Sequence, residues 1–332
     1  MTYMRPLVQG GRSRPSDALV LAGGWGWFTH VEVLSRTAPP QVIAARDASA
    51  ELTGPRAPLA GLTLDRPRIM GIVNTTPDSF SDGGKHAALD DAVAGGLAMA
   101  AAGADVLDIG GESTRPGAHT VDSAEEIART APVIAGLRAA SFDGVISIDT
   151  RKSSVASAAL SAGATLINDV SGFTYDPDLA GVAAQAGVPV CVMHAQGDPA
   201  TMQRDPTYKN VVLDVYDHLA RRLDALEAVG IPRDRIMADP GIGFGKTQAH
   251  NLALLERLGV LHGLGVALLL GASRKRFIGT IGGADAASDR APGSIAVALA
   301  GIAQGVQMVR VHDVAETRQA LALWQASVSG QA

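Results

Sequence analysis

The 332-residue chain has little cysteine, few aromatic residues and no long apolar run. Its single cysteine, Cys191, excludes an internal disulfide and any multi-cysteine metal site, and it suits a reducing compartment. A membrane-spanning helix needs ~20 consecutive apolar residues. The stretch from Ile295 to Ala303 falls far short of that. Near the start, Asp17 and the glycines at 23, 24 and 26 interrupt the apolar stretch 18–28, so no secretory core is read there. Basic blocks are missing too. The 28 basic and 33 acidic residues are dispersed and leave a net charge of −5, which gives no nucleic-acid footprint. The expectation is a soluble, cytoplasmic protein with neither a membrane nor a nucleic-acid partner.

What is plentiful is glycine, 38 residues against only thirteen aromatics. Most glycines stand at junctions between apolar stretches, which suits a fold with many short connections. Residues 1–60 hold six of the seventeen prolines and two of the three tryptophans, and their periodicity is irregular. Segments 19–28 and 41–45 there read as short strands, and the whole reads as an extension packed on a main domain of residues 61–332. From about residue 61 the pattern becomes regular. Eight short apolar runs, at 68–73, 105–109, 145–148, 165–167, 188–193, 235–238, 266–270 and 306–311, read as strands buried on both faces of a parallel sheet. Helical patterns lie between them. Val212, Val215, Leu219, Leu223 and Leu226 follow one helix face, and Gly103, Gly163, Gly187, Gly230 and Gly259 stand where helix C-terminal glycines belong. Eight strand–helix units predict an α/β protein, a (β/α)8 TIM barrel with an N-terminal extension. The alternative, an open doubly wound sheet, usually carries a glycine-rich phosphate fingerprint after its first strand. Here Asn74-Thr75-Thr76-Pro77-Asp78 stands in that place.

Each strand ends in polar or ionisable residues: Asn74, Asp108 with Glu112 to Arg115, Asp149, Asn168 with Asp169, His194, Asp239, Ser273 to Lys275, and Arg310 with His312 and Asp313. In a barrel these ends converge on one face. One such residue is ordinarily a cap or turn residue. Eight together are costly to desolvate unless a ligand or mutual pairing satisfies them. Asp149, Asn168 and Asp239 suit the edge of a flat, nitrogen-rich heterocycle, because an ionised carboxylate only accepts hydrogen bonds. Arg115, Lys275, Arg310 and His312 suit an oxyanion such as phosphate. Asn74 is a hard oxygen ligand able to hold one magnesium, with substrate phosphates filling other positions. The pattern therefore predicts a phosphate-bearing heterocycle at a barrel mouth, without naming a reaction. The polar loops 74–85 and 112–119 are placed to close over it.

The segments IMGIVNTTPDSFSDGG (from Ile69), GADVLDIGGESTRPGA (from Gly103), ISIDTRK (from Ile146), GATLINDVSG (from Gly163), VMHAQGDPATMQ (from Val192), DPGIGFGK (from Asp239), GASRKRFIG (from Gly271) and VRVHDV (from Val309) resemble, in order, the dihydropteroate synthase family. The resemblance covers about residues 61–328. It implies a magnesium-dependent transferase that joins 6-hydroxymethyl-7,8-dihydropterin diphosphate to p-aminobenzoate in folate synthesis, working as a homodimer. It implies that Asp149, Asn168 and Asp239 bond the pterin edge, that Lys275 contacts the ring, and that Arg310 stacks on it and reaches phosphate. Asn74 and His312 fall at the diphosphate and its magnesium, and Thr114 and Arg115 at the anionic groups. Phe80, Asp82, Pro116 and Phe244 shape the aminobenzoate pocket, with Asp82 placed to stabilise a pterin-methyl cation.

Arg276 follows Lys275 where some family members carry serine, and it is expected to pair with the aminobenzoate carboxylate. Among the remaining residues, Cys191 reads as a small core hydrophobe. His218, His250 and His262 lack ligand spacing and read as surface or capping residues, and Asp108 as support beneath the substrate. Two other functions compete: the pterin-binding module of a folate–corrinoid methyltransferase, and a non-catalytic paralogue. The first leaves ESTRPG and SRK without a role, and the corrinoid signature Asp-x-His-x-x-Gly is absent.

Overall fold

Period-two alternation governs the second part of the chain, because successive side chains of a strand point to opposite faces. The structure is a computed structural model and describes residues 2–75, 85–113, 118, 120–197 and 201–330. It opens with β1 (Tyr3–Pro6), β2 (Leu19–Val20), β3 (Trp27–Phe28), β4 (His30–Leu34), β5 (Gln41–Ala44) and the one-turn helix α1 (Ala50–Thr53). Strands and helices then alternate: β6 (Arg68–Asn74), α2 (Lys85–Ala101), β7 (Val106–Gly110), α3 (Ser123–Ala139), β8 (Val145–Asp149), α4 (Ser153–Ala162), β9 (Leu166–Asp169) and α5 (Leu179–Ala186). The series continues with β10 (Val190–Met193), α6 (Val211–Ala228), β11 (Ile236–Asp239), α7 (Gln248–Glu256), β12 (Ala267–Leu270), α8 (Arg276–Gly282), α9 (Ala291–Ala303), β13 (Met308–Val311) and α10 (Val314–Ser329). Strands β6 to β13 pair in parallel and in chain order, and β13 pairs back onto β6. That last pairing makes the (β/α)8 barrel and excludes the open sheet.

The two strand faces feed different cores. Ile69, Leu107, Ile109, Ile146, Ile148, Val190 and Val309 pack outward against the helices. Met70, Val106, Val145, Leu166, Cys191, Met237 and Met308 form a separate inner cluster, closed by Leu59 and Leu64. Reciprocal bonds between Leu59 and Leu62, 3.0 and 2.9 Å, fold this short segment back on itself. The base of the barrel is thus plugged by apolar residues that precede its first strand. Helix α6 shows how the outer layer is held. Its N-cap Asn210 accepts from the Leu213 amide, and Val215, Leu219, Leu223 and Leu226 are all buried. Leu223→Ala is expected to cost about 2–5 kcal/mol.

The extension builds its own three-stranded antiparallel sheet, β1-β4-β5, beside a β2–β3 hairpin. Strand signals in segments 19–28 and 41–45 correspond to β2, β3 and β5, whereas β1 and β4 gave none. Tyr3 and Arg36 tie this sheet to Asp217 of α6, and Trp25 donates to the Ile302 carbonyl. Two expectations are corrected. Gly259 does not end a helix: it lies inside a 3-10 helix, Leu258–Leu264, and Gly265 takes the left-handed position. His262 is not a surface residue: it caps α9 from inside the core, since Gln304 is the C-cap of that helix. It is fully buried, and its ring bonds the Gln304 carbonyl, a tertiary contact that helix spacing cannot reveal.

Candidate active site

Strand register brings the inner rim together. Asn74 faces Gly110 across β6 and β7, Gly110 faces Asp149 across β7 and β8, and Asp149 faces Asn168 across β8 and β9. From β13, Arg310 reaches across the mouth. Its Nε donates to Asp108 Oδ2 at 2.5 Å and its Nη2 to Asp149 Oδ2 at 2.6 Å. Asn168 Nδ2 donates to the same Asp108 oxygen at 3.1 Å. Asp108 therefore fixes the Asn168 amide, leaving its carbonyl oxygen as the group to offer a ligand. Among the described residues, Asp108 Oδ1 is buried with no hydrogen-bond partner, as is Ser147 Oγ, its cross-strand neighbour. Gly110 and Gly271 add no side chain: a Cβ at Gly271 would lie 3.1 Å from Asp239 Oδ2 and narrow the mouth.

The electrostatics are those of a desolvated acceptor floor. Burial pushes Asp149 up to about 7, although Arg310 beside it pulls the other way. Burial also raises Asp239, whose Oδ1 accepts from the Gly241 amide at 2.7 Å. Arg310 is held above its ordinary value: burial would lower it, but the two carboxylates it bridges more than offset that. Opposite, Lys275 is the residue before α8, and its Nζ lies 4.0 Å from the centre of the Phe244 ring. The residue before it is strained. Arg274 sits at φ 57°, a left-handed conformation uncommon outside glycine. Its amide donates to Ser294 Oγ, its carbonyl accepts from Arg290 and its guanidinium pairs with Asp313, so the turn that aims Lys275 is held from three sides. Ser273 Oγ lies 3.0 Å from His312 Nδ1 and orients that ring.

Asn74, Asp149, Asn168, Asp239, Phe244, Lys275, Arg310 and His312 thus all stand at the C-terminal ends of the barrel strands or on the connections that follow them. Phe80, Asp82, Thr114, Arg115 and Pro116 lie outside the described residues. Three polar strand-end residues do not join the floor. Asp169 points away from the barrel interior and caps its own turn through Ser171 and the Phe173 amide. His194 bonds Lys246, and Asp313 serves Arg274. The sequence reading missed a buried ionic cluster beside the rim. Lys152 Nζ contacts Glu112 at 2.8 Å and Glu126 at 2.5 Å, and Arg151 contacts Glu112 at 2.9 Å. Burial alone would raise Glu112, yet those two cations hold it below the ordinary carboxylate range. Glu112 is the first residue of the ESTRPG segment, and the cluster fixes its carboxylate. The adjacent Asp-Thr-Arg-Lys run in ISIDTRK was the available signal.

A mouth lined with raised carboxylates, one fixed amide and flanking cations can hold a flat donor edge together with an anionic tail. Residues 70–312 match the pterin binding enzymes. The chain belongs to that family. Within it, the similarity is to dihydropteroate synthases. The enzyme of that name from Escherichia coli (strain K12) is 43% identical over 270 residues, spanning 81% of this chain and 95% of the relative. The solved Xanthomonas albilineans dihydropteroate synthase with 4-aminobenzoic acid superposes with a TM-score of 0.77 at 48% identity, covering 82% of this chain and 98% of the other. The same enzyme in complex with 7,8-dihydropteroate gives 0.74 at 45% identity, with the same coverage.

Proposed function

We infer that the chain is a transferase of folate synthesis that condenses 6-hydroxymethyl-7,8-dihydropterin diphosphate with p-aminobenzoate to 7,8-dihydropteroate and pyrophosphate. The observation that carries this reading is the bonded cluster of Asp108, Asp149, Asn168 and Arg310, drawn from the inner faces of four strands. Asp149, Asn168 and Asp239 accept the ring NH donors. The Arg310 guanidinium stacks on the ring and draws the diphosphate. The C–O bond breaks and pyrophosphate leaves with its electron pair, giving a delocalised pterin-methyl cation to whose exocyclic carbon the arylamine nitrogen then bonds. The amine proton passes to solvent. Arg310, Lys275 and His312 stabilise the departing anion. The arylamine is nucleophilic enough to need no side-chain base.

The residues present suit magnesium. Asn74 offers one hard, neutral oxygen at the end of β6, and among the described residues no three His, Cys, Asp or Glu side chains gather into a cage. That donor set matches a magnesium held mainly by substrate phosphates, where it would neutralise diphosphate charge. Thr114 and Arg115 are assigned to the anionic groups. Phe80, Pro116 and Phe244 are assigned to the aminobenzoate pocket, and Asp82 to the developing cation. These assignments rest on the motifs that carry them. We also propose a homodimer, which light scattering checks, in the cytoplasm. Among the described residues no helix is long and apolar enough to cross a membrane.

The test is direct. With the dihydropterin diphosphate, p-aminobenzoate and magnesium, pyrophosphate should be released, and Lys275→Ala should abolish its release while leaving the fold intact. Pterin binding without product would point to a non-catalytic binder, and methyl transfer to a corrinoid would point to a methyltransferase module.

A further inference from the structure

The connection from β11 to α7 is held by one buried amine, Lys246, whose basicity burial lowers to about 7. Lys246 Nζ lies 2.8 Å from the Gly241 carbonyl, 2.9 Å from the Phe244 carbonyl and 2.8 Å from His194 Nδ1, with the His194 carbonyl further off at 3.4 Å. An ammonium has three protons and accepts nothing, so the three near partners fill it. With Lys246 protonated, His194 presents a bare Nδ1. Burial depresses its basicity to about 2, which keeps the ring neutral. Lys246 forms no salt bridge among the described residues. A buried lysine is ordinarily retained for a carboxylate partner. This one is spent on two main-chain carbonyls of its own loop and on the His194 ring from the neighbouring strand end.

The loop is built around that ammonium. Gly241 has φ 66°, and a Cβ there would sit 1.9 Å from the His194 carbonyl oxygen, so only glycine admits the approach. Other side chains fix the remaining groups. Asn251 Oδ1 accepts from the Gly243 amide at 2.8 Å, and Tyr208 donates to the Gly245 carbonyl at 2.7 Å. What the loop carries is Phe244, the ring against which Lys275 lies.

We propose that Lys246 is a positioning residue for the transfer: its ammonium ties the Gly241 and Phe244 carbonyls to His194 and thereby sets the ring that aims Lys275. The kinetic part of this inference rests on the transferase reading above, and the conformational part does not. Two measurements on Lys246→Met test it. Amide hydrogen exchange of residues 239–247 should accelerate about tenfold with the rest of the barrel unchanged, since the loop loses bonds to a charged donor. The value of kcat/KM for the dihydropterin diphosphate should fall about tenfold, and that loss should vanish in a Phe244→Ala background, because coupled residues are not additive. Unchanged exchange in 239–247, or an undiminished kinetic loss in the Phe244→Ala background, overturns the proposal. Should Lys246→Met not fold, Lys246→Gln keeps two N–H donors without charge and is read in the same two ways, with smaller effects expected. A native chain without turnover overturns the proposed function instead, and hydrogen exchange alone then decides the clamp.

Discussion

Asp105 and Asp108 are three residues apart, yet the barrel treats them oppositely. Asp105, just before β7, is saturated. It accepts from the Ile69 amide at 2.9 Å, from Arg68 at 2.9 Å, from Arg66 at 3.2 Å and from Arg318 at 2.8 Å. Burial would raise it, but the Ile69 amide and Arg68 hold it below its ordinary value. Asp108 is fully buried, with one oxygen serving two donors and the other serving none among the described residues. The lesson is about satisfaction. At the base, where Leu59 and Leu64 close the barrel, charge is neutralised within the protein. At the mouth an Asp108 oxygen is left without a donor among the described residues, and burial raises Asp149 and Asp239. A floor short of donors is a floor prepared for a ligand that brings them.

Breaking the rim should give the largest effect. Arg310→Ala leaves Asp108 and Asp149 buried without their shared cation. We expect kcat/KM to fall about a thousandfold, with stability lowered by about 3–5 kcal/mol. Steady-state kinetics and denaturant unfolding on the same preparation separate the two losses. Near-native activity in this variant would erase the distinction between rim and base.

The converse variant is Asp105→Ala. It strands Arg68, which is as buried as the aspartate it pairs with, 7% against 8% exposed. Stability should drop by about 3–5 kcal/mol, while kcat/KM at temperatures where the protein stays folded should not change. A large kinetic defect in folded Asp105→Ala would show that the base belongs to the site.

The signs of pH dependence sharpen the contrast. Asp105 is lowered, so its stabilisation is present above the ordinary carboxylate pKa and is lost as pH falls through the folded value. Asp149 is raised to about 7, so the folded protein binds that proton more tightly than the unfolded chain does, and stability falls as pH climbs from the carboxylate range towards 7. Ligand binding runs the other way, because only the ionised Asp149 accepts two N–H donors. Affinity for a non-reactive pterin should therefore rise about tenfold between about pH 6 and about pH 8 and then level off. Asp149→Asn should bind more weakly and flatten that rise. Calorimetric titration across the range decides it, and a pH-independent native affinity would remove Asp149 from the ring edge.

Much of this was legible because parallel strands buried on both faces read as continuous apolar runs, and each run announces its polar end. Asp149, Asn168, Asp239 and Arg310 were found that way. The inward choice of Asn168 over its neighbour Asp169 agrees with the structure but hangs on register alone. Asn168 and Asp169 differ only by the pleat, and a shift of one position exchanges them. The Lys246–His194 contact joins residues from different strand ends, so no local period marks it. The Glu112, Glu126, Arg151 and Lys152 cluster escaped for the same reason. In the extension, β1 is only four residues with Pro6 at its end, and β4 alternates His30, Val31, Glu32 and Val33 yet buries Glu32 and leaves Val33 half-buried, so its pattern does not report its packing.

The smallest effect belongs to Arg276, the first residue of α8 and exposed at the outer edge of the rim. It tests how far the contrast between buried and solvated charge extends. If its guanidinium meets the p-aminobenzoate carboxylate, it does so in water, where such a pair contributes about 0.2–1 kcal/mol. Arg276→Ala should then raise the KM for p-aminobenzoate by about two- to fivefold and leave the KM for the dihydropterin diphosphate unchanged. Salt supplies an internal check. At about 0.5 M ionic strength the native KM should approach that of the variant, because an exposed pair is screened there whereas the Arg310 pairs are not. A KM for p-aminobenzoate that ignores both the substitution and the salt would confine substrate recognition to the buried rim.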